Sequence, residues 1–270
     1  MTKEVKLIPR QIREADFPTA RFLSEEDQNR YEQACQQFSS ESARRTLNIP
    51  QNGSNLFKVL LLNQTGIRTA TLPELELAFE NGLDLRGTYE DGREVILRSK
   101  EDPYKPNDSL TKDLAKKLKL KCQIKTPLIV TDLEITEAQN STYGLVLMPT
   151  NRTQVIEAHD FDFTNNGKRF RTINSDYTIE FDDNASSVFC AKQYGLSRLC
   201  LDRDLVLDSY FDVLAVSGDV GRVVVVGGEA TSQNLEQCVT RLQNQKDNQI
   251  AELQERHKKA ERYLRTGNLE

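Results

Sequence analysis

Apolar and polar positions alternate in different ways along the chain, and the changes of rhythm predict its elements. Residues 1–23 show no periodic stripe, and Pro9 and Pro18 interrupt any regular structure, so an irregular arm is expected there. Ser24 followed by Glu25, Glu26 and Asp27 has the form of an N-cap with an acidic first turn. It opens a helix that brings Tyr31, Ala34, Cys35 and Phe38 to one face. The continuous apolar run Phe57–Asn63 (FKVLLLN) predicts a buried strand. Thr71-Leu72-Pro73-Glu74 is a capping-box pattern with proline in the first turn, predicting a helix over 72–81 that stops at Asn81-Gly82. Leu83–Tyr89 and Arg93–Arg98 flank Glu90-Asp91-Gly92, which reads as a hairpin turn. Asp108 is placed to cap a helix over 109–120 with the stripe Leu110, Leu114 and Leu118.

From Thr126 the rhythm changes to short runs separated by turn residues such as Asn165-Asn166-Gly167 and Ser217-Gly218-Asp219. The runs 128–136, 143–148, 155–163, 168–173, 177–181, 197–201, 205–209, 213–217 and 222–226 predict consecutive antiparallel strands. After Gly227-Gly228, Thr231 or Ser232 can cap a helix reaching to about Arg265, roughly 50 Å long at ~1.5 Å per residue. Its stripe is Leu235, Val239, Leu242, Ile250, Leu253, Ala260 and Leu264. Lys246 and His257 interrupt it, and the 4-4 step through Lys246 departs from a strict coiled-coil heptad.

The expected fold is therefore α+β: a helical N-terminal portion, an antiparallel β-rich body (sandwich or open barrel), and a long amphipathic C-terminal helix. The expected divisions are 1–23 (arm), 24–125 (mixed α/β), 126–228 (acidic β-rich body) and 229–266 (helix).

Composition narrows the function classes. The 270 residues are 37% hydrophobic and 29% charged, with no tryptophan. No stretch approaches the ~18 apolar residues of a membrane span, and the first residues lack the apolar centre of a secretion signal, so a soluble, cytoplasmic protein is expected. Five scattered cysteines with no CxxC pair point to free thiols rather than a zinc or redox motif. The net charge of −5 is concentrated in residues 126–231, which hold 8 Lys/Arg against 16 Asp/Glu, the wrong sign for a nucleic-acid surface.

Few residues suggest chemistry. Within Glu157–Phe163, an extended chain would set Glu157, His159, Phe161 and Phe163 on one face and Asp160 and Asp162 on the other. Asp202, Asp204 and Asp208 fall at even positions of another run. Carboxylates so placed attract hard cations, and Asp160, Asp162, Asp202 and Asp204 are the candidate metal ligands. Val226-Gly227-Gly228 lacks the spacing of a phosphate-binding loop, and no G-x-S-x-G elbow occurs. Lys112, Lys116, Lys117, Lys119, Lys121 and Lys125 form a basic run without interleaved aromatics. These features are read as a non-enzymatic binding or assembly protein without a cofactor. It would oligomerise or contact another protein through Leu235, Val239, Leu242, Ile250, Leu253 and Leu264. The alternative is a metal-dependent hydrolase using the carboxylates of the β body.

Overall fold

Among the described residues, hydroxyl side chains start four of the five α-helices of the Ala20–Gly228 unit. In α1 (Glu25–Cys35) the Ser24 hydroxyl accepts the Asp27 amide, and the Asp27 carboxylate returns a bond to the Ser24 amide at 2.9 Å. Ser40 caps α2 (Glu41–Leu47), Ser54 caps α3 (Asn55–Gln64), and Thr71 with Glu74 caps α4 (Leu72–Glu80). The fifth, α5 (Lys105–Lys117), begins with Pro106 in its first turn and no side-chain cap. The computed structural model describes residues 20–48, 53–85, 87–202, 206–210, 213–215 and 221–227, with Gln254, His257 and Lys258.

The chain divides into two units, Ala20–Gly228 and the pair of segments Met1–Thr19 and Glu229–Glu270. Only the first lies largely among the described residues. In the second, Gln254, His257 and Lys258 are helical and exposed.

Nine strands form one curled sheet, in the order β6 (Val155–Glu157), β3 (Leu128–Val130), β2 (Tyr89–Leu97), β10 (Leu196–Asp202), β11 (Val206–Ser209), β9 (Ser187–Ala191), β7 (Arg169–Ile173) and β8 (Ile179–Phe181). The ninth, β12 (Gly221–Arg222), pairs with the first residues of β2. Two ribbons complete the set: β4 (Leu133–Glu137) with β5 (Leu145–Pro149), and β1 (Ala20–Phe22) with β13 (Val224–Val226).

This corrects the expected fold class. The sheet is mixed, since β9 runs parallel to β11 and β12 parallel to β2, so it is neither an antiparallel sandwich nor an antiparallel open barrel. β9 and β10 leave a gap one strand wide, and β11 returns to fill it, antiparallel to β10 and hence parallel to β9. Alternation in a sequence signals a strand but not its neighbour. The long C-terminal helix is not part of this architecture, and its expected range falls outside the described residues except for the three named above.

Three local expectations are also corrected. Phe57–Asn63 is not a strand but lies within α3, where every residue from Asn55 to Leu62 is buried. A helix buried all round loses its amphipathic period. Glu90-Asp91-Gly92 is no hairpin turn but part of the nine-residue strand β2. Past Glu157 the expected strand gives way to a 3-10 turn at His159–Phe161, so its residues do not alternate between faces as an extended chain would.

The sheet is covered on both sides. Val95, Leu97, Val130 and Leu196 pack with the apolar side chains of α1, α3, α5 and the β4–β5 ribbon. Ile96, Ile129, Leu201 and Leu207 pack instead with Leu72 and Leu75 of α4 and with Phe161, Phe170 and Phe189. Successive residues of β2 thus enter different cores, as the two-residue period of a strand requires.

Candidate functional site

β2 carries three fully or almost fully buried carboxylates, Glu90, Asp91 and Glu94, and Arg98 follows directly after it. A charge taken out of water is costly unless it is paired, so each of these must find a partner or titrate.

At the Tyr89 end, Glu90 Oε1 accepts the Arg222 guanidinium at 2.8 Å and the Thr88 hydroxyl at 2.8 Å. Burial still pushes this carboxyl up from its ordinary value, against those bonds. Asp91 receives Arg198 at 3.4 Å, and the Arg198 guanidinium lies 4.7 Å over the Tyr89 ring. Burial likewise pushes Asp91 up, with Arg198 opposing it.

Beside this end is a cleft of about 410 Å³ bordered by Phe22, Gln28, Lys58, Gly221, Arg222 and Val223. Lys58 is on α3 and only 7% exposed, and its Nζ donates to Gln28 Oε1 at 2.8 Å and stands 5.0 Å over the Tyr31 ring. Burial lowers its pKa, while the neighbouring Cys35 and Glu32 act to raise it.

In the middle of the strand, Glu94 Oε1 accepts the Tyr177 hydroxyl at 2.6 Å and the Leu72 amide at 2.9 Å, the first helical amide of α4. Its second oxygen meets no donor, and burial raises the carboxyl to about 7. Gly92 makes room for that oxygen, because a Cβ there would stand 2.3 Å from it.

The Leu97 end is organised by two buried side chains. Arg98 donates to the Ser197 hydroxyl (3.0 Å), the Ser209 hydroxyl (2.7 Å), and the Ser209 and Phe161 carbonyls (3.2 and 3.1 Å). Burial lowers even this guanidinium to about 9, with Asp162 and Asp208 acting the other way. Asp102 accepts the Leu196 amide at 2.7 Å, the Tyr104 amide at 2.9 Å and Lys192 Nζ at 3.1 Å. Gly195 sits above this carboxylate with φ +82°, and a Cβ would lie 2.3 Å from it, so glycine is required there. Next to this anchor is a larger cleft, about 730 Å³, bordered by Arg98, Lys100, Glu101, Lys112, Ile124 and Tyr194.

The residues singled out in the sequence fall elsewhere. Asp160 accepts the Ile179 amide at 2.9 Å. Asp162 accepts the Thr164 amide and hydroxyl at 2.9 and 2.7 Å, bonds that lower its pKa. Asp160 thus serves the first residue of β8, and Asp162 the turn that follows it. His159 is exposed, 3.9 Å from Glu157. Asp202 closes β10, and Asp204 is outside the described residues. Among the described residues no three His, Cys, Asp or Glu side chains gather as metal ligands. Of the basic run, Lys112 pairs with Asp108 and Lys117 with Asp113, each one turn apart. The proposed contact residues Leu235, Val239, Leu242, Ile250, Leu253 and Leu264 lie outside the described residues. Among the described residues no helix is long and apolar enough to cross a membrane. Cys35, Cys122, Cys190 and Cys200 are free thiols.

Sequence reading passed over Lys58, Arg98, Asp102, Lys192 and Arg198. Two of them carried a signal: Lys58 within FKVLLLN and Arg198 within LSRLCL are lone cations inside apolar runs. A lone charge in such a place must be buried with a partner or at the wall of a cleft. No protein-family model, curated protein or solved structure matches the chain.

Proposed function

We propose that the chain is a non-enzymatic binding protein that takes its ligand in the cleft beside Arg98. The observation that carries this reading is the cleft itself, whose volume of about 730 Å³ lies within the range of small-molecule sites. Its walls are supported from behind. Tyr194, 53% exposed, stands in the turn that Asp102 and Lys192 hold, and Lys100 reaches across to the Lys121 carbonyl at 2.9 Å. The described lining holds Arg98, Lys100 and Lys112 against Glu101, Asp102 and Asp108, a balance that favours an uncharged or zwitterionic ligand with an aromatic or apolar part to lie on Tyr194.

The burial of the unusual acids supports binding over catalysis, because Glu90 and Glu94 lie away from solvent and each uses one oxygen to join strand to strand or strand to helix. The hydrolase alternative has no comparable support, since Asp160 and Asp162 are occupied by backbone amides. A reducing, cytoplasmic setting accords with the free thiols.

The test is a screen of amino acids, dipeptides and aromatic amides by two-dimensional NMR of the full chain. Hits should perturb Ser99, Lys100, Gln123 and Tyr194 and be lost in Tyr194→Ala, a surface change expected to leave the melting temperature nearly unmoved. Hits that map away from this cleft, or a hit that the protein converts with turnover, would overturn the reading.

A further inference from the structure

The smaller cleft, at the Tyr89 end of β2, has a charge balance unlike that of the larger one. Two cations border it. Arg222 is held at 2.8 Å by Glu90, and its guanidinium lies 4.0 Å over the Phe22 ring. Lys58 has a neutral partner, the Gln28 side-chain carbonyl, and among the described residues it forms no ion pair. Gln28 in turn donates to Glu32 Oε1 at 3.0 Å, so the nearest acid is reached only through an amide. Two cations against the one buried carboxylate leave a single positive charge, and Glu25, exposed, stands at the rim.

A buried ammonium that forms no ion pair among the described residues is an expensive arrangement, and burial accordingly holds Lys58 below the ordinary lysine range. An anion in the cleft would supply the missing charge. The count of one, with Glu25 at the rim, suits a monoanion better than a dianion. Phe22, Leu23 and Val223 supply apolar wall for a short tail, and about 410 Å³ suits a ligand of only a few carbons.

We infer that this cleft binds a small monocarboxylate, its carboxylate seated between Lys58 and Arg222 and its aliphatic part against Phe22, Leu23 and Val223. A charge-assisted bond from Lys58 would replace its bond to Gln28, and the carboxylate would accept from Arg222 Nη1, since Glu90 and the Asp84 carbonyl occupy Nε and Nη2. This site is separate from the cleft beside Arg98 and does not depend on that reading.

The test titrates the full-length protein with sodium acetate, butyrate and hexanoate, with sodium phosphate as the dianion and sodium chloride at matched ionic strength. Two-dimensional NMR is the readout. Butyrate should give saturable shifts at Leu23, Ser24, Gly221 and Val223, with Ser99 and Tyr194 unmoved, and should bind at least tenfold more weakly to Lys58→Met. Four results would overturn the inference: no saturation beyond the chloride control, shifts centred elsewhere, phosphate binding tighter than butyrate, or equal affinity in Lys58→Met. Should that variant fail to fold, Lys58→Arg keeps the charge, and the map of shifts on the wild-type protein still decides.

Discussion

The two ends of β2 solve one problem in opposite ways. At the Leu97 end the buried charges are held by many bonds: Arg98 makes four, all to hydroxyls and carbonyls, and Asp102 is met by two backbone amides and Lys192. At the Tyr89 end, Arg222 pairs with one oxygen of Glu90, and among the described residues Lys58 beside them has one amide oxygen and an aromatic face. The first end is built to hold a loop still. The second keeps a charge in reserve. Buried ionic groups held by several bonds fix geometry, whereas one held by a single neutral hydrogen-bond partner carries a cost that a ligand can relieve.

Four measurements sharpen or break this contrast. Asp102→Ala should have the largest effect, about 3–5 kcal/mol lost in urea unfolding, because it strands Lys192 and two amides in the interior. A loss below about 1 kcal/mol would mean that the Leu97 end is not the rigid one.

Second in size is the pH response of Glu94 in the middle of the strand. Its carboxyl is raised from 4.5 to about 7 by burial, so the native state binds the proton more tightly than the unfolded chain. The stability this contributes is complete below about pH 4.5 and is lost as pH rises through 7, about 3 kcal/mol at ~1.4 kcal/mol per unit. Urea midpoints should fall between pH 5 and 8, and Glu94→Gln should remove much of that slope while keeping both bonds to the carbonyl oxygen. Glu76, also raised to about 7 by burial and by Glu80, would retain its own share. An unchanged slope in Glu94→Gln would refute the assignment.

Third, Lys58→Met should leave the ligand-free protein as stable as before or about 1 kcal/mol more stable, since it removes a buried charge that forms no ion pair among the described residues. A loss of several kcal/mol would show that Gln28 and Tyr31 satisfy the ammonium fully. The smallest effect belongs to an exposed pair away from both ends. Arg171→Ala, which breaks its contact with Asp182, should leave the urea midpoint unmoved and sets the baseline for the others.

Short-range signals in the sequence were readable because they act over a few residues. Ser24 with Asp27, and Thr71 with Glu74, close their capping boxes within one turn, and helices begin where those residues predict. What could not be read depends on distant partners. Glu90-Asp91-Gly92 looks like a turn until Arg198 and Arg222, more than a hundred positions away, make it an interior strand. FKVLLLN looks like a strand because a helix covered on all sides shows no polar face. The clefts were illegible for the same reason, since each draws its walls from segments far apart in the chain. Asp160 and Asp162 stood out as acidic neighbours of a histidine, yet a turn rather than a strand follows Glu157, and their oxygens cap backbone.

The β1–β13 ribbon also bears on the order of events during synthesis. Ala20 pairs with Val226, so the earliest described strand of the body has the last as its partner. The ribosome makes about 5–20 residues per second. The 206 positions from Ala20 to Val226 therefore take roughly 10–40 s, during which β1 has nothing to pair with. The body can close only when its synthesis is nearly over. Throughout that interval a short, unpaired edge is carried on the nascent chain, open to whatever holds such edges apart in the cell.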